Sequence, residues 1–226
     1  MNINELDKTF SQPSPESIQE QHDRCLQLLN DLPVNTTPYD KARILLDLAE
    51  TETVLENKTS AWNHAREAFD IFLAGDHWQD AVETCNVLYQ TDQPASISAL
   101  GQGVWLAVTF PVLPDTSIAM LNNIVEETPA DSDGAAVAAV TACYLTDLRA
   151  DDDKHESLSF LARNILGQVA KRHSQIENQA QLNIWMDKLH LRDPQEFLPA
   201  LSTVINVMVG DTWWFDRDKL REKLPQ

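Results

Sequence analysis

Amphipathic stripes punctuated by alanine, running from Tyr39 to Pro94, constrain this chain more than any other feature. Ala42, Leu45, Leu48, Ala49 and Leu55 recur at helical spacing, Trp62, Ala65, Phe69 and Phe72 repeat the pattern, and Ala81, Val82, Cys85 and Leu88 repeat it again. No segment sustains the period-two alternation of a half-buried strand. Glycine is scarce, at 6 of 226 residues, and the prolines fall almost entirely between stripes, where helices end. The expected fold is all-α. Ten or eleven helices would pair antiparallel through short connections, in a layered right-handed superhelix or a compact bundle.

Residues 1–14 carry no sustained apolar stripe and read as a mobile leader, with residues 15–226 as one all-helical domain. The first helix is expected from Pro15 to Asn30, with Ile18, Cys25, Leu28 and Leu29 inward. At Gly75-Asp76 the glycine should end one helix, with Asp76 capping the next and Gln79 completing a capping box. Ile97, Leu100, Val104 and Val108 form a stripe that Pro111 ends. Asp115 should cap a helix closed by Pro129, and Asp133 should open an alanine-rich helix through Val137, Val140, Tyr144 and Leu148. Leu158, Leu161, Ile165 and Val169 follow the acidic run from Asp151. Ser174 with Glu177, and Asp193 with Pro194 and Glu196, mark two further helix starts, and a short terminal helix begins near Asp216.

Charge bears on partners. Residues 1–150 hold 23 acidic against 7 basic side chains, whereas residues 151–226 hold 12 against 10. A phosphate backbone or an anionic membrane surface would be repelled by the first two-thirds, which leaves basic or neutral polypeptide segments as the compatible partners. The longest nearly uncharged apolar stretch, Ile97 to Leu113, is broken by Gly101, Gly103 and Pro111 and is too short to span a bilayer. The odd number of cysteines, Cys25, Cys85 and Cys143, each within an apolar stripe, reads as reduced core thiols of a cytoplasmic protein.

No catalytic or metal motif overlies the helices. His22 and Cys25 share a helix face, but neither HExxH nor a second cysteine pair completes a site, and His64, His77, His155, His173 and His190 are scattered as solvated or capping groups. Asp131-Ser132-Asp133-Gly134 lacks the ligand ladder of a calcium loop, and Gly101-Gln102-Gly103 lacks a third glycine and a strand before it. Glu126 and Glu127 point about 100° apart on a helix and do not converge. Glu52 falls on an apolar stripe. The groove edge is its more economical position, because a buried carboxylate demands a partner. Neither a cofactor nor a metal is expected.

Trp62, Ala65 and Phe69, followed by Ala81, Cys85, Leu88 and Pro94, resemble the two helices of a tetratricopeptide repeat. The turn between the helices is about three residues too long, Arg66 replaces a usual glycine, and Leu88 exceeds the usual alanine. The resemblance covers residues 39–94, and residues 95–226 keep only the helix-pair rhythm. It implies a groove for peptides or protein segments. The second half resembles helical proteins that accompany nickel-iron hydrogenase genes, through Gly103-Val104-Trp105-Leu106-Ala107-Val108-Thr109-Phe110-Pro111 and the ending Trp213-Trp214-Phe215-Asp216. That likeness implies an accessory, maturation or structural role beside a redox enzyme.

The expected function is a non-catalytic adaptor or assembly chaperone. Asp47, Glu50 and Glu67 are the candidate charges toward a partner, and Trp213, Trp214 and Phe215 are either a second contact, a homodimer seam or a pin for the last helix. An enzyme with an interhelical site at Glu52 or His173 is the alternative of a different class.

Overall fold

The computed structural model describes residues 15–224, so the expected leader lies outside the described residues. Eleven helices and no strand are found there: α1 (Pro15–Asn30), α2 (Pro38–Val54), α3 (Lys58–Ala74), α4 (Trp78–Gln90), α5 (Ser96–Thr109), α6 (Pro114–Glu127), α7 (Asp133–Arg149), α8 (Asp152–Ser174), α9 (Gln179–Lys188), α10 (Pro194–Val209) and α11 (Arg217–Arg221). The all-α expectation therefore holds, as an antiparallel helical bundle.

Local chemistry explains where these helices begin and end. Thr37 accepts from the Asp40 N–H and is followed by Pro38, and Asp193 accepts from the Gln195 N–H and is followed by Pro194. Each combination satisfies one orphan amide and supplies a ring already at helical φ. Other starts differ from expectation. His77, not Asp76, is the N-cap of α4, and Asp76 takes a left-handed φ of 60°. Aspartate tolerates that region because its short polar side chain bonds locally. Gly75 keeps φ −91°, and a Cβ there would lie 2.7 Å from His77 Cδ2 and push the imidazole aside. Asp115 lies inside the first turn of α6 behind Leu113 and Pro114. Ser132 caps α7, and Asn178, not Ser174, caps α9.

A single non-glycine residue with positive φ closes several connections, at Glu56, Asp76, Asp92, Gln175 and His190. After Glu56, Asp76 and His190, the next N–H reaches back five residues, Asn57 to Glu52, His77 to Phe72 and Leu191 to Met186, each at 2.8–2.9 Å. This is the six-to-one bond of a Schellman ending.

Helices α2/α3, α4/α5 and α6/α7 pack as pairs, α2, α4, α6 and α8 each touch the next in a row, and α10 lies across α5 and α7. One core runs through the stack, with Phe69, Phe72, Leu100, Leu106, Phe110, Met120 and Leu121 fully buried. Each such side chain contributes about 1.5–3 kcal/mol relative to exposure. Gly103 sits where α4, α5 and α6 converge: a Cβ would stand 2.5 Å from both Cys85 Cβ and Met120 Cε. Four residues of the expected stripes face solvent instead. Leu28, Ile97, Leu148 and Leu161 are 39–61% exposed, because each lies on the edge of its stripe.

Two arginines close helices that precede them by two. Arg149, at the end of α7, donates to the carbonyls of Ala107 (2.6 Å) and Val108 (2.8 Å) at the end of α5. Arg172, near the end of α8, donates to the carbonyl of Val125 (2.6 Å) in the last turn of α6. A guanidinium matches both the orphan carbonyls and the negative pole of a helix C-terminus.

Candidate functional site

The row of even-numbered helices presents a continuous polar face. Arg43 of α2 extends to α4, where its Nη1 lies 2.7 Å from Asp80 and 3.5 Å from Glu83, while its Nη2 lies 3.5 Å from Asp47. Gln79 Nε2 donates to Glu83 and to Thr116 of α6, both at 2.8 Å, and the Gln79 Oε1 accepts from the Leu113 N–H. Further along, Asn123 of α6 donates to Asn86 of α4 (3.0 Å), and Tyr89 donates to Glu127 (2.6 Å). A shallow cleft of about 310 Å³ crosses all three helices and is lined by Glu50, Val54, Glu83, Asn86, Thr116 and Met120 among others.

Negative charge dominates this face. Desolvation in the cleft, followed by the Asp47 and Glu83 charges, raises the Glu50 carboxyl above its usual value, against the opposing pull of Arg43. Among the described residues Arg43 is the one cation paired with Asp47, Asp80 and Glu83, so an added cation would find carboxylates not fully neutralised. Asp47 and Glu50 thus stand together on the α2 side of the face. Glu67 does not: it is on α3, paired with Lys41 at 2.6 Å. Arg43, Asp80, Glu83 and Gln79 were missing from the sequence candidates. Their signal was the polar stripe opposite the apolar one, Arg43, Asp47 and Glu50 on α2 and Gln79, Glu83 and Asn86 on α4.

Glu52 is buried, contrary to the groove-edge expectation, at 3% exposure. Ser60 donates to its Oε1 (2.6 Å) and His64 Nδ1 meets its Oε2 (2.7 Å), both from α3, and His22 Nε2 of α1 is 3.9 Å away. These partners repay the desolvation that makes an unpaired carboxylate costly. The carboxylate stands between serine and histidine, which is not the order of a Ser-His-Asp triad, where the imidazole is central. Glu52 is a strut joining α2 to α3. His173 is likewise engaged: Trp185 Nε1–H donates to its Nδ1 (3.1 Å), which leaves Nε2–H to donate to Asp133 (3.1 Å). No group of three or more His, Cys, Asp or Glu side chains among the described residues is arranged to hold a metal.

Trp213, Trp214 and Phe215 fold back over α3 and α5, half-buried. Trp214 meets Trp62 and Phe69 edge-on (centroids 6.1 and 5.2 Å), while Trp213 and Phe215 meet Trp105 (6.2 and 5.4 Å). Arg66 lies over Trp214 (4.3 Å) and Arg217 over Trp213 (4.1 Å). Lys223, beyond α11, pairs with Asp76 and lies 5.6 Å from the Trp78 ring. Such cation–ring contacts contribute about 0.5–1 kcal/mol each at exposed sites. The triplet has the geometry of a pin. Trp105, Phe110 and Trp185 are core residues as expected.

The three cysteines are unpaired. Burial raises the thiol pKa of Cys25 and Cys85, and raises that of Cys143 to about 11. None is poised as a nucleophile. No described helix is long and apolar enough to cross a membrane. No family model, curated protein or solved structure matches the chain.

Proposed function

We propose that this chain is a non-catalytic binding module, an adaptor or assembly chaperone, whose α2–α4–α6 face takes a basic segment of another protein. The observation that carries the reading is the cleft across three successive helices, where Glu50 is held at a raised pKa beside Asp47 and Glu83 with Arg43 as the adjoining cation. A lysine or arginine side chain entering there would relieve the repulsion and gain charge-assisted hydrogen bonds. The opposite side offers less: α10 covers α5 and α7, and the aromatic triplet covers α3. Unpaired thiols fit a cytoplasmic setting.

The test is capture of partners by the tagged chain at low salt and at about 0.5 M salt, where screening falls to a few ångströms, beside the variant Glu50→Lys/Glu83→Lys. A stoichiometric partner lost both in high salt and in the variant supports the reading. A partner retained in both would place the interface elsewhere and refute it.

A further inference from the structure

Helix α8 ends the row formed by α2, α4 and α6, and α9 makes little contact with it. Among the described residues, therefore, none covers its outer face. Phe160, 70% exposed, is the central residue of that face. At about 100° and 1.5 Å per residue, Asp153 and Gly167 lie on the same line as Phe160, one on each side. Glu156 and Arg163 lie along one flank, and Ser157 and Asn164 along the other. All of these residues are exposed. Asp153, Glu156 and Arg163 make no ion pair with any described residue, and a Cβ on Gly167 would have nothing within 4 Å.

We infer that this face of α8 binds a second copy of the chain, through an antiparallel α8–α8 contact about a twofold axis beside Phe160. The argument is self-complementarity. A twofold axis perpendicular to both helices reverses their direction but keeps each flank on its own side, so a flank meets itself inverted. Glu156 then stands beside Arg163 of the second copy, and the same pair forms again across the axis. Ser157 meets Asn164 on the other flank, and Asp153 lies over Gly167, whose missing side chain admits close backbone approach. The two Phe160 rings meet at the centre. The acidic half of α8 thereby lies along the basic half of its copy, whereas a parallel arrangement would set like charges together.

One helix face is a small interface, so the dimer belongs to the weak, concentration-dependent class. The experiment is sedimentation velocity on the full chain up to about 1 mM, with Phe160→Asp, Glu156→Arg and Arg163→Glu, each confirmed as folded by circular dichroism. The wild type should associate to dimers, and each variant alone should weaken association at least about tenfold, the scale of a lost charged pair. An equimolar mixture of Glu156→Arg and Arg163→Glu should recover dimers of mixed composition, because both cross-axis pairs are then opposite in sign. Recovery also separates a designed mismatch from misfolding, since misfolded chains do not rescue each other. A monomeric wild type over the whole range, a dimer indifferent to the substitutions, or a mixture that stays monomeric would each overturn the inference. The binding face on α2, α4 and α6 is untouched by any of these outcomes.

Discussion

The backbone N–H of Trp214 donates to the Oε1 of Gln102, 2.8 Å away, and Gln102 is wholly buried in α5. The other end of the same amide donates to Ser98 (3.2 Å), which in turn meets Thr212 (3.0 Å). A buried amide thus holds the aromatic segment by its main chain as well as by its rings. Gln102→Leu keeps the volume but leaves the Trp214 N–H without its acceptor, which should cost about 1–3 kcal/mol. Urea unfolding would measure the loss, and near-ultraviolet circular dichroism should show altered tryptophan packing. An unchanged midpoint and spectrum would mean the rings alone hold the segment.

Arg149 should matter through the carbonyls it satisfies. Partial burial lowers its pKa, yet it stays charged at any pH of interest. Arg149→Met retains much of the packing and removes both donors to the end of α5. The expected loss is about 1.5–3 kcal/mol, the range for hydrogen bonds that involve a charged group. Hydrogen exchange should localise it to Leu106–Phe110, and a loss spread evenly through the chain would argue against a capping role.

Glu52→Ala should be among the more damaging single changes. It empties a site 3% exposed and strips the acceptor from Ser60 and His64, and a donor left unsatisfied costs about 1–3 kcal/mol. Glu52→Gln keeps one acceptor and should cost less. Both variants that remain folded should bind any partner of the α2–α4–α6 face as the wild type does. A selective loss of binding or activity without a loss of stability would return Glu52 to the list of functional groups.

Glu50 predicts a pH dependence of the opposite sign to the usual carboxylate. Its folded pKa lies above the unfolded value, so the folded protein favours the protonated form and the charged form destabilises it. Glu50→Gln should therefore raise the melting temperature at pH 7. The gain should shrink as pH falls through the folded pKa and vanish below the usual glutamate value of about 4.3. Melting curves at a series of pH values would show it. A stabilisation independent of pH would exclude charge repulsion as the cause.

The helices were legible because burial repeats with the helical period: Ala42, Leu45 and Ala49, or Ala81, Cys85 and Leu88, state which face is inside. Caps were less legible. Around Gly75-Asp76-His77 and Ser174–Asn178 several residues compete for one role, and the choice depends on which backbone takes a left-handed φ and which carbonyl is near. The burial of Glu52 was illegible for a related reason, since its partners belong to the next helix and only the α2–α3 packing brings them within reach. Asp47 and Glu50 could be named from charge alone. Arg43, Asp80 and Glu83 could not, because their meeting depends on the spacing between alternate helices. In the aromatic triplet the large rings were plain, but the direction of the fold-back rests on Gln102, a residue that resembled nothing more than a neighbour of two glycines.

Stacks of helix pairs ordinarily behave as open arrays that gain or lose a unit at either end with a proportionate change in stability. Here the segment from Trp213 to Lys223 grips the early pairs, through Trp214 on Phe69 and Lys223 on Asp76. A ribosome must pass Trp214 and Lys223 before those early helices acquire this cover. Until then the faces of Trp62 and Phe69 are open to chaperones and to other nascent chains, and a chain cut before Trp213 would leave that side of α3 bare.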